Sequence, residues 1–148
     1  MPIPQLNGDG VLPEGVHDCT LEEIAVAFCG ERHSQRRRDL FVELERYVRQ
    51  LREWGWVREI HVDGSFVTSK ELPGDIDLAI SLRSDYVAAA PASDAEHQLL
   101  DTQRVKRVFG FDIYSFPEDS PIREDVLFIF THNARTPGIA RGLLRVQL

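Results

Sequence analysis

The chain has 148 residues, of which 43% are hydrophobic and 28% charged, a composition typical of one globular domain spanning residues 1–148. Because it has no run of 18 apolar residues, no signal peptide and only two cysteines, Cys19 and Cys29, we expect a cytoplasmic protein without a membrane partner. The net charge of −7 argues against tight, nonspecific binding to nucleic acid, which depends on lysine and arginine.

The first half of the chain predicts an extended arm over residues 1–18, then two helices and a strand. A capping box at Thr20–Glu23 begins a short helix that should end near Gly30. A longer helix over 34–54 has apolar residues at three- and four-residue spacing. Glycine 55 should end it, and a β-rich run, Val57 to Val62, predicts a strand.

Arginine is concentrated around the long helix and in the C-terminal tail. Two interpretations are open. The arginines form either a solvated helix face balanced by glutamates or a surface that binds an acceptor or a partner protein. They are Arg32, Arg36, Arg37, Arg38, Arg46, Arg49 and Arg52, with Arg135, Arg141 and Arg145 in the tail.

The second half predicts helices and strands in alternation. A capping box at Ser93–Glu96 should open a helix that Gly110 closes, and the alternating run Phe111–Phe116 predicts a strand. The apolar run Val126–Phe130 is ambiguous by periodicity, and we favour a short helix. Leu143 to Val146 should form a final edge strand.

The most informative segment joins a Gly-Ser pair, Gly64-Ser65, to Asp75-Ile76-Asp77 on the next β-rich run. Because strand side chains alternate, Asp75 and Asp77 should point to the same face. Two adjacent carboxylates repel each other unless a cation lies between them, and Mg²⁺ takes one or two carboxylates plus substrate phosphates. A Gly-Ser turn offers backbone N–H groups and a hydroxyl to a phosphate. The segment therefore predicts a Mg²⁺ or Mn²⁺ site beside a nucleoside triphosphate.

This segment resembles the signature of the DNA polymerase β-like nucleotidyltransferase superfamily, in which Gly-Ser after a strand precedes Asp-hydrophobic-Asp. The sequence of the segment resembles still more closely that of an uncharacterised bacterial family of short proteins in that superfamily. Members of that family start with Leu-Pro-x-Gly-x-His, which is similar to Leu12–His17. The resemblance implies a minimal nucleotidyltransferase fold of the α/β (α+β) class, with a small mixed sheet flanked by helices on one side.

The resemblance also implies three catalytic, metal-binding acids, Asp75, Asp77 and Asp112, which would hold two magnesium ions. The third acid of the superfamily comes from a strand beside the Asp-x-Asp strand. Asp112 suits this role because it lies between apolar residues of a predicted strand, where an unpaired carboxylate is costly. Its carboxylate should therefore face the same cleft as Asp75 and Asp77.

Three residues are candidate nucleotide contacts. They are Gly64 and Ser65 in the turn and Lys70, which could pair with the triphosphate. Members of the superfamily often carry Arg-Gly shortly after Gly-Ser, whereas this chain has Thr68-Ser69. The sequence therefore leaves the cation that would bind the triphosphate unidentified.

The implied reaction transfers a nucleoside monophosphate from a triphosphate to a hydroxyl of a protein, an RNA or a small molecule, and releases pyrophosphate. The alternative is a degenerate nucleotidyltransferase that only binds a cognate partner protein, for example in a toxin–antitoxin pair. The three acids favour the enzyme. The missing Arg-Gly and the lack of an evident acceptor-binding domain favour the binding protein.

Overall fold

The computed structural model of the protein describes residues 3–86, 98–132 and 140–148. In these residues the fold is mixed α/β, as the sequence predicts, with helices packed on one five-stranded sheet. The strands are β1 (Val16–Asp18), β2 (Val57–Asp63), β3 (Ile76–Leu82), β4 (Phe111–Pro117) and β5 (Leu143–Gln147). The helices are α1 (Leu21–Phe28), α2 (Gln35–Trp54), α3 (Thr102–Phe109) and α4 (Ile122–Thr131), and Ser65–Val67 forms a 3₁₀ turn.

The order of strands in the described sheet is β1-β5-β2-β3-β4. Strand β2 is antiparallel to both neighbours, β3 and β5, whereas β1 pairs with β5, and β4 with β3, in parallel. The predicted strand at Leu143–Val146 is confirmed as β5, but its predicted position at the edge of the sheet is wrong. Strand β5 lies inside the sheet because the N-terminal arm contributes β1 along its outer side.

The segment Leu12–His17 of the arm docks against the start of β5. The backbone N–H of Gly142 donates to the carbonyl of Leu12 at 3.0 Å. A Cβ atom on Gly142 would lie 2.0 Å from the carbonyl oxygen of Pro13, so a side chain there would prevent the two backbones from approaching. The arm is thus part of the sheet rather than a free extension.

The predicted caps of the first two helices are confirmed. Thr20 and Glu23 form the capping box of α1, in which each side chain accepts a hydrogen bond from the backbone N–H of the other residue. Gly55 ends α2 with a left-handed φ of 83°. No helix in the described ranges combines the length and the apolar character needed to cross a membrane.

The predicted helix up to Gly110 is interrupted. Its capping box at 93–96 lies outside the described residues, and residues 98–100 are helical. Asp101 is extended, and its carboxylate accepts from the N–H of Arg104 at 2.9 Å, so α3 begins there as a separate helix. The run Val126–Phe130 lies within α4, which confirms the helical prediction.

Helices lie on both faces of the sheet, which corrects the prediction of helices on one side. Helices α1, α2 and α3 pack on one face, against a core that includes Ile60 and Leu78. Helix α4 packs on the other face, where Phe130 joins a smaller cluster with Ala79. That cluster exists because alternation along β3 turns Ala79, and with it Asp77, away from the main core.

Candidate metal centre

The three predicted acids meet at one end of the sheet. Asp75 directly precedes β3, Asp77 is its second residue, and Asp112 lies beside Asp77 in the parallel register of β3 and β4. One oxygen from each carboxylate lies within 4.8 Å of the other two, and all three residues are half-buried. The prediction that Asp112 faces the same cleft as Asp75 and Asp77 is confirmed.

The charge in this acidic triad (Asp75, Asp77 and Asp112) is poorly compensated at its centre. Burial, together with the neighbouring carboxylates of Asp75, Asp63 and Asp112, raises the pKa of Asp77 to about 6, against a smaller opposing effect of Arg141. An acid whose pKa is raised by other acids is one that a cation would stabilise in its charged form. The electrostatics therefore favour a positive ion at Asp77.

A fourth acid, Asp63, lies opposite Asp77 in the antiparallel register of β2 and β3. It is buried and forms an ion pair with Arg141, whose Nη2 donates to Asp63 Oδ2 at 2.9 Å. Burial raises the pKa of Asp63, while Arg141 lowers it. Arg141 thereby neutralises the negative charge of Asp63. This role differs from both interpretations of the tail arginines.

Lys106 is the residue at this site that sequence reasoning missed. Its ammonium donates to Asp75 Oδ2 at 2.9 Å and to Asp112 Oδ2 at 3.0 Å. The pKa of Lys106 is raised, chiefly by the hydrogen bond to Asp75. It lies in the last turn of α3, and Gly110, with a left-handed φ of 86°, reverses the chain directly into β4. A lysine at a helix C-terminus is common for dipole reasons alone, so no sequence signal marks it.

The Gly-Ser turn lies against the triad, as predicted. Gly64 has a left-handed φ of 93°, and a Cβ atom there would lie 3.2 Å from both the backbone N and Oδ2 of Asp77. Ser65 is half-buried at the start of the 3₁₀ turn. The missing side chain at Gly64 therefore allows the backbone of the turn to lie directly against Asp77.

Lys70, the third predicted nucleotide contact, is exposed on the loop after the turn. The loop itself is held by the start of α2. Arg37 is only 2% exposed, and its guanidinium donates to the carbonyls of Phe66, Thr68 and Lys70. In the described residues, the lysine that pairs with the triad is thus Lys106, and Lys70 contributes a backbone carbonyl to the loop.

Arg36 continues this support toward the acids. It donates to the carbonyls of Pro73 at 3.1 Å and Gly74 at 2.5 Å, immediately before Asp75. The hydroxyl of Ser34 donates to the carbonyl of Glu71 at 2.6 Å. Arg36 and Arg37 both fix the loop that joins Gly64-Ser65 to Asp75. This role differs from both predicted interpretations, a solvated helix face and a partner-binding surface.

The triad fits a divalent cation of the magnesium type. It offers three carboxylate oxygens, two from strand positions and one from the residue directly before β3, and hard cations such as Mg²⁺ and Mn²⁺ take oxygen ligands of this kind. The raised pKa of Asp77 adds an electrostatic preference for a cation. The residues that would hold it are Asp75, Asp77 and Asp112.

The fold and the site together define a mixed α/β protein with a carboxylate triad beside a glycine turn. The chain belongs to DUF6932, a family of unknown function, whose profile matches residues 4–147. No curated protein and no solved structure matches the chain significantly. Family membership therefore carries no activity with it, and an argument about function depends on the site.

Proposed function

We propose that this protein is a divalent-metal-dependent nucleotidyltransferase of the DNA polymerase β-like superfamily. It would transfer a nucleoside monophosphate from a nucleoside triphosphate to an acceptor hydroxyl, with release of pyrophosphate. The observation that carries the proposal is the convergence of Asp75, Asp77 and Asp112 within 4.8 Å, on two paired strands and beside Gly64. Coincidence accounts poorly for residues that lie up to 48 positions apart, from Gly64 to Asp112, and meet at one cleft.

Each residue has a distinct task in this proposal. Bound Mg²⁺ or Mn²⁺ supplies charge neutralisation at the triphosphate and a lower pKa for the acceptor hydroxyl. Asp75 and Asp77 hold the cation on the triphosphate side. The carboxylate of Asp112 is 45% exposed against 32% for Asp75, so we assign Asp112 to the open side that an acceptor would enter. Gly64 gives phosphate oxygens access to backbone N–H groups.

The test combines binding with label transfer. Calorimetry with ATP, GTP, CTP and UTP in the presence of Mg²⁺ should identify one preferred triphosphate. That nucleotide, labelled at its α-phosphate, should then transfer label to an acceptor in an extract of the source cells. Asp112→Asn should keep most of the nucleotide affinity and lose the transfer. A folded protein that binds none of the four triphosphates would overturn the proposal.

A non-catalytic, partner-binding protein is the second candidate, as in a toxin–antitoxin pair. Helix α4 favours it, because Ile122, Phe128 and Ile129 are large, apolar and exposed on its surface. The two candidates separate in the same assay. Triphosphate binding without transfer to any acceptor would point to the partner-binding protein.

A cytoplasmic location belongs to the same proposal. Cys19 and Cys29 are both free thiols, and burial raises their pKa values to about 12 and about 11. Thiols that stay protonated and unpaired suit a reducing compartment.

A further inference from the structure

Lys106 lies where the acidic triad would hold a cation. Its ammonium contacts Asp75 and Asp112 at 2.9 and 3.0 Å, and both carboxylates belong to the candidate metal ligands. A divalent ion bound by the same oxygens would meet the ammonium at very short range and be repelled by it. The metal and Lys106 therefore compete for Asp75 and Asp112.

The lysine can leave without disturbing the core. Its side chain is 47% exposed, whereas α3 is anchored by two other residues, Val105 and Phe109, which are buried. The four-carbon stem of lysine is flexible and carries its charge as a compact, mobile point. Release of the ammonium from the carboxylates therefore costs no packing.

The other cationic side chains described near the site are hydrogen-bonded or ion-paired with other groups. Arg36 and Arg37 hold carbonyls of the loop before Asp75, and Arg141 is paired with the buried Asp63. Among the described residues, Lys106 is the cation that forms ion pairs with the candidate metal ligands.

We propose that Lys106 is an exchangeable counter-ion, which pairs with Asp75 and Asp112 in the metal-free protein and turns to the triphosphate when divalent ions take those carboxylates. This inference rests on the proposed function and names the cation that binds the triphosphate. Its consequence is a pair of opposite effects. Lys106 weakens the binding of the metal alone and strengthens the binding of the metal with a triphosphate.

The experiment compares Lys106→Met with Arg107→Met in two calorimetric titrations. Arg107 is a matched control, because it is the next residue on α3, carries the same charge and is exposed. The first titrant is Mn²⁺ alone. The second is inorganic tripolyphosphate at saturating Mn²⁺, which reads phosphate contacts without requiring the correct base.

Lys106→Met should bind Mn²⁺ about fivefold more tightly than wild type, since two partly exposed ion pairs no longer compete. It should bind Mn²⁺–tripolyphosphate about tenfold more weakly, because a charge-assisted contact to phosphate is lost. Arg107→Met should change both affinities by less than about twofold, because its charge is exposed and screened. A structural role for Lys106 would move both affinities in the same direction.

If Lys106→Met changes the two affinities in the same direction, or changes neither, the proposed exchange is refuted. Should Lys106→Met fail to fold in a thermal melt, Lys106→Gln, which is polar and uncharged, takes its place under the same criteria. Failure of the proposed function has a different signature. If wild type itself binds no Mn²⁺, the triad is not a metal site, whereas Mn²⁺ binding that is insensitive to Lys106 removes only the exchange.

Discussion

Replacement of Arg37 by methionine should destabilise the protein more than the loss of any other arginine of α2. The substitution leaves three backbone carbonyls, of Phe66, Thr68 and Lys70, without the guanidinium that now donates to them. Loss of one partner from a buried, charge-assisted network costs about 3–5 kcal/mol. Since small domains are stable by only about 5–15 kcal/mol in total, this loss would be evident in a urea unfolding curve.

Two further variants isolate the cause. Arg37→Lys keeps the charge but cannot donate in three directions at once, so it should recover only part of the loss, about 1–2 kcal/mol. Arg49→Met, on an exposed position of the same helix, should cost less than about 0.5 kcal/mol. The reasoning is refuted if Arg37→Met lowers the free energy of unfolding by no more than Arg49→Met does.

Three further predictions concern the site and the buried face of the sheet. Gly64→Ala should cost more stability than Gly55→Ala, about 2–3 against about 1 kcal/mol, because Gly64, at φ 93° and ψ −175°, has a conformation that few other residues adopt and its Cβ would press on Asp77. Only Gly64→Ala should also weaken Mn²⁺–tripolyphosphate binding in calorimetry, because Gly55 is not in contact with the acids. Asp77→Asn should raise the melting temperature in EDTA at neutral pH, since it removes a carboxylate whose pKa neighbouring charges and burial raise to about 6. Burial, with smaller contributions from Arg123 and Arg145, lowers the pKa of His61 to about 4, so its stabilising contribution is present above the unfolded value of 6.5 and falls by about 3 kcal/mol as the pH drops to 4. The contribution of Asp77 to stability changes over the same pH range with the opposite sign, so the effect of His61 is isolated by comparing wild type with His61→Leu. The difference between their free energies of unfolding, measured in urea, should shrink or reverse from pH 6.5 to 4. A constant difference would contradict the prediction.

Local and periodic signals explain what could be predicted from the sequence. The capping box at Thr20–Glu23 and the glycine caps at Gly55 and Gly110 each depend on a few consecutive residues. Alternation along a strand is equally local, so a common face for Asp75 and Asp77 follows from their spacing. The placement of Asp112 on a strand beside the one that carries Asp77 is an expectation from the family resemblance, and the pairing of β3 with β4 confirms it.

The features that escaped prediction depend on contacts between distant parts of the chain. Arg37 reaches carbonyls 29 to 33 residues away, and Arg141 reaches Asp63 across 78 residues. Lys106 has one partner six residues away and another 31 residues away. A basic residue carries no local mark of such partners, either on a helix, as for Arg37 and Lys106, or in the segment before β5, as for Arg141. The sequence therefore predicts Arg37 and Arg141 only as members of a charged surface and does not single out Lys106.

The charges of the site also favour a bound cation. Asp63, Asp77 and Asp112 lie on three adjacent strands and Asp75 directly precedes β3, and among the described residues Arg141 and Lys106 form ion pairs with these acids. The mutual repulsion that helps to raise the pKa of Asp77 is a cost in stability that a bound divalent ion would reduce. Sites that carry such unfavourable charge are expected where function requires it.

The most direct test of the central claim is a calorimetric titration of metal-free protein with Mn²⁺, for wild type and for Asp77→Asn. Asp119→Asn, an exposed acid in the turn after β4, serves as the control for the loss of one negative charge. The account predicts saturable Mn²⁺ binding by wild type and by Asp119→Asn, and no binding by Asp77→Asn. Equal Mn²⁺ binding by Asp77→Asn and wild type would show that these acids do not form the metal centre.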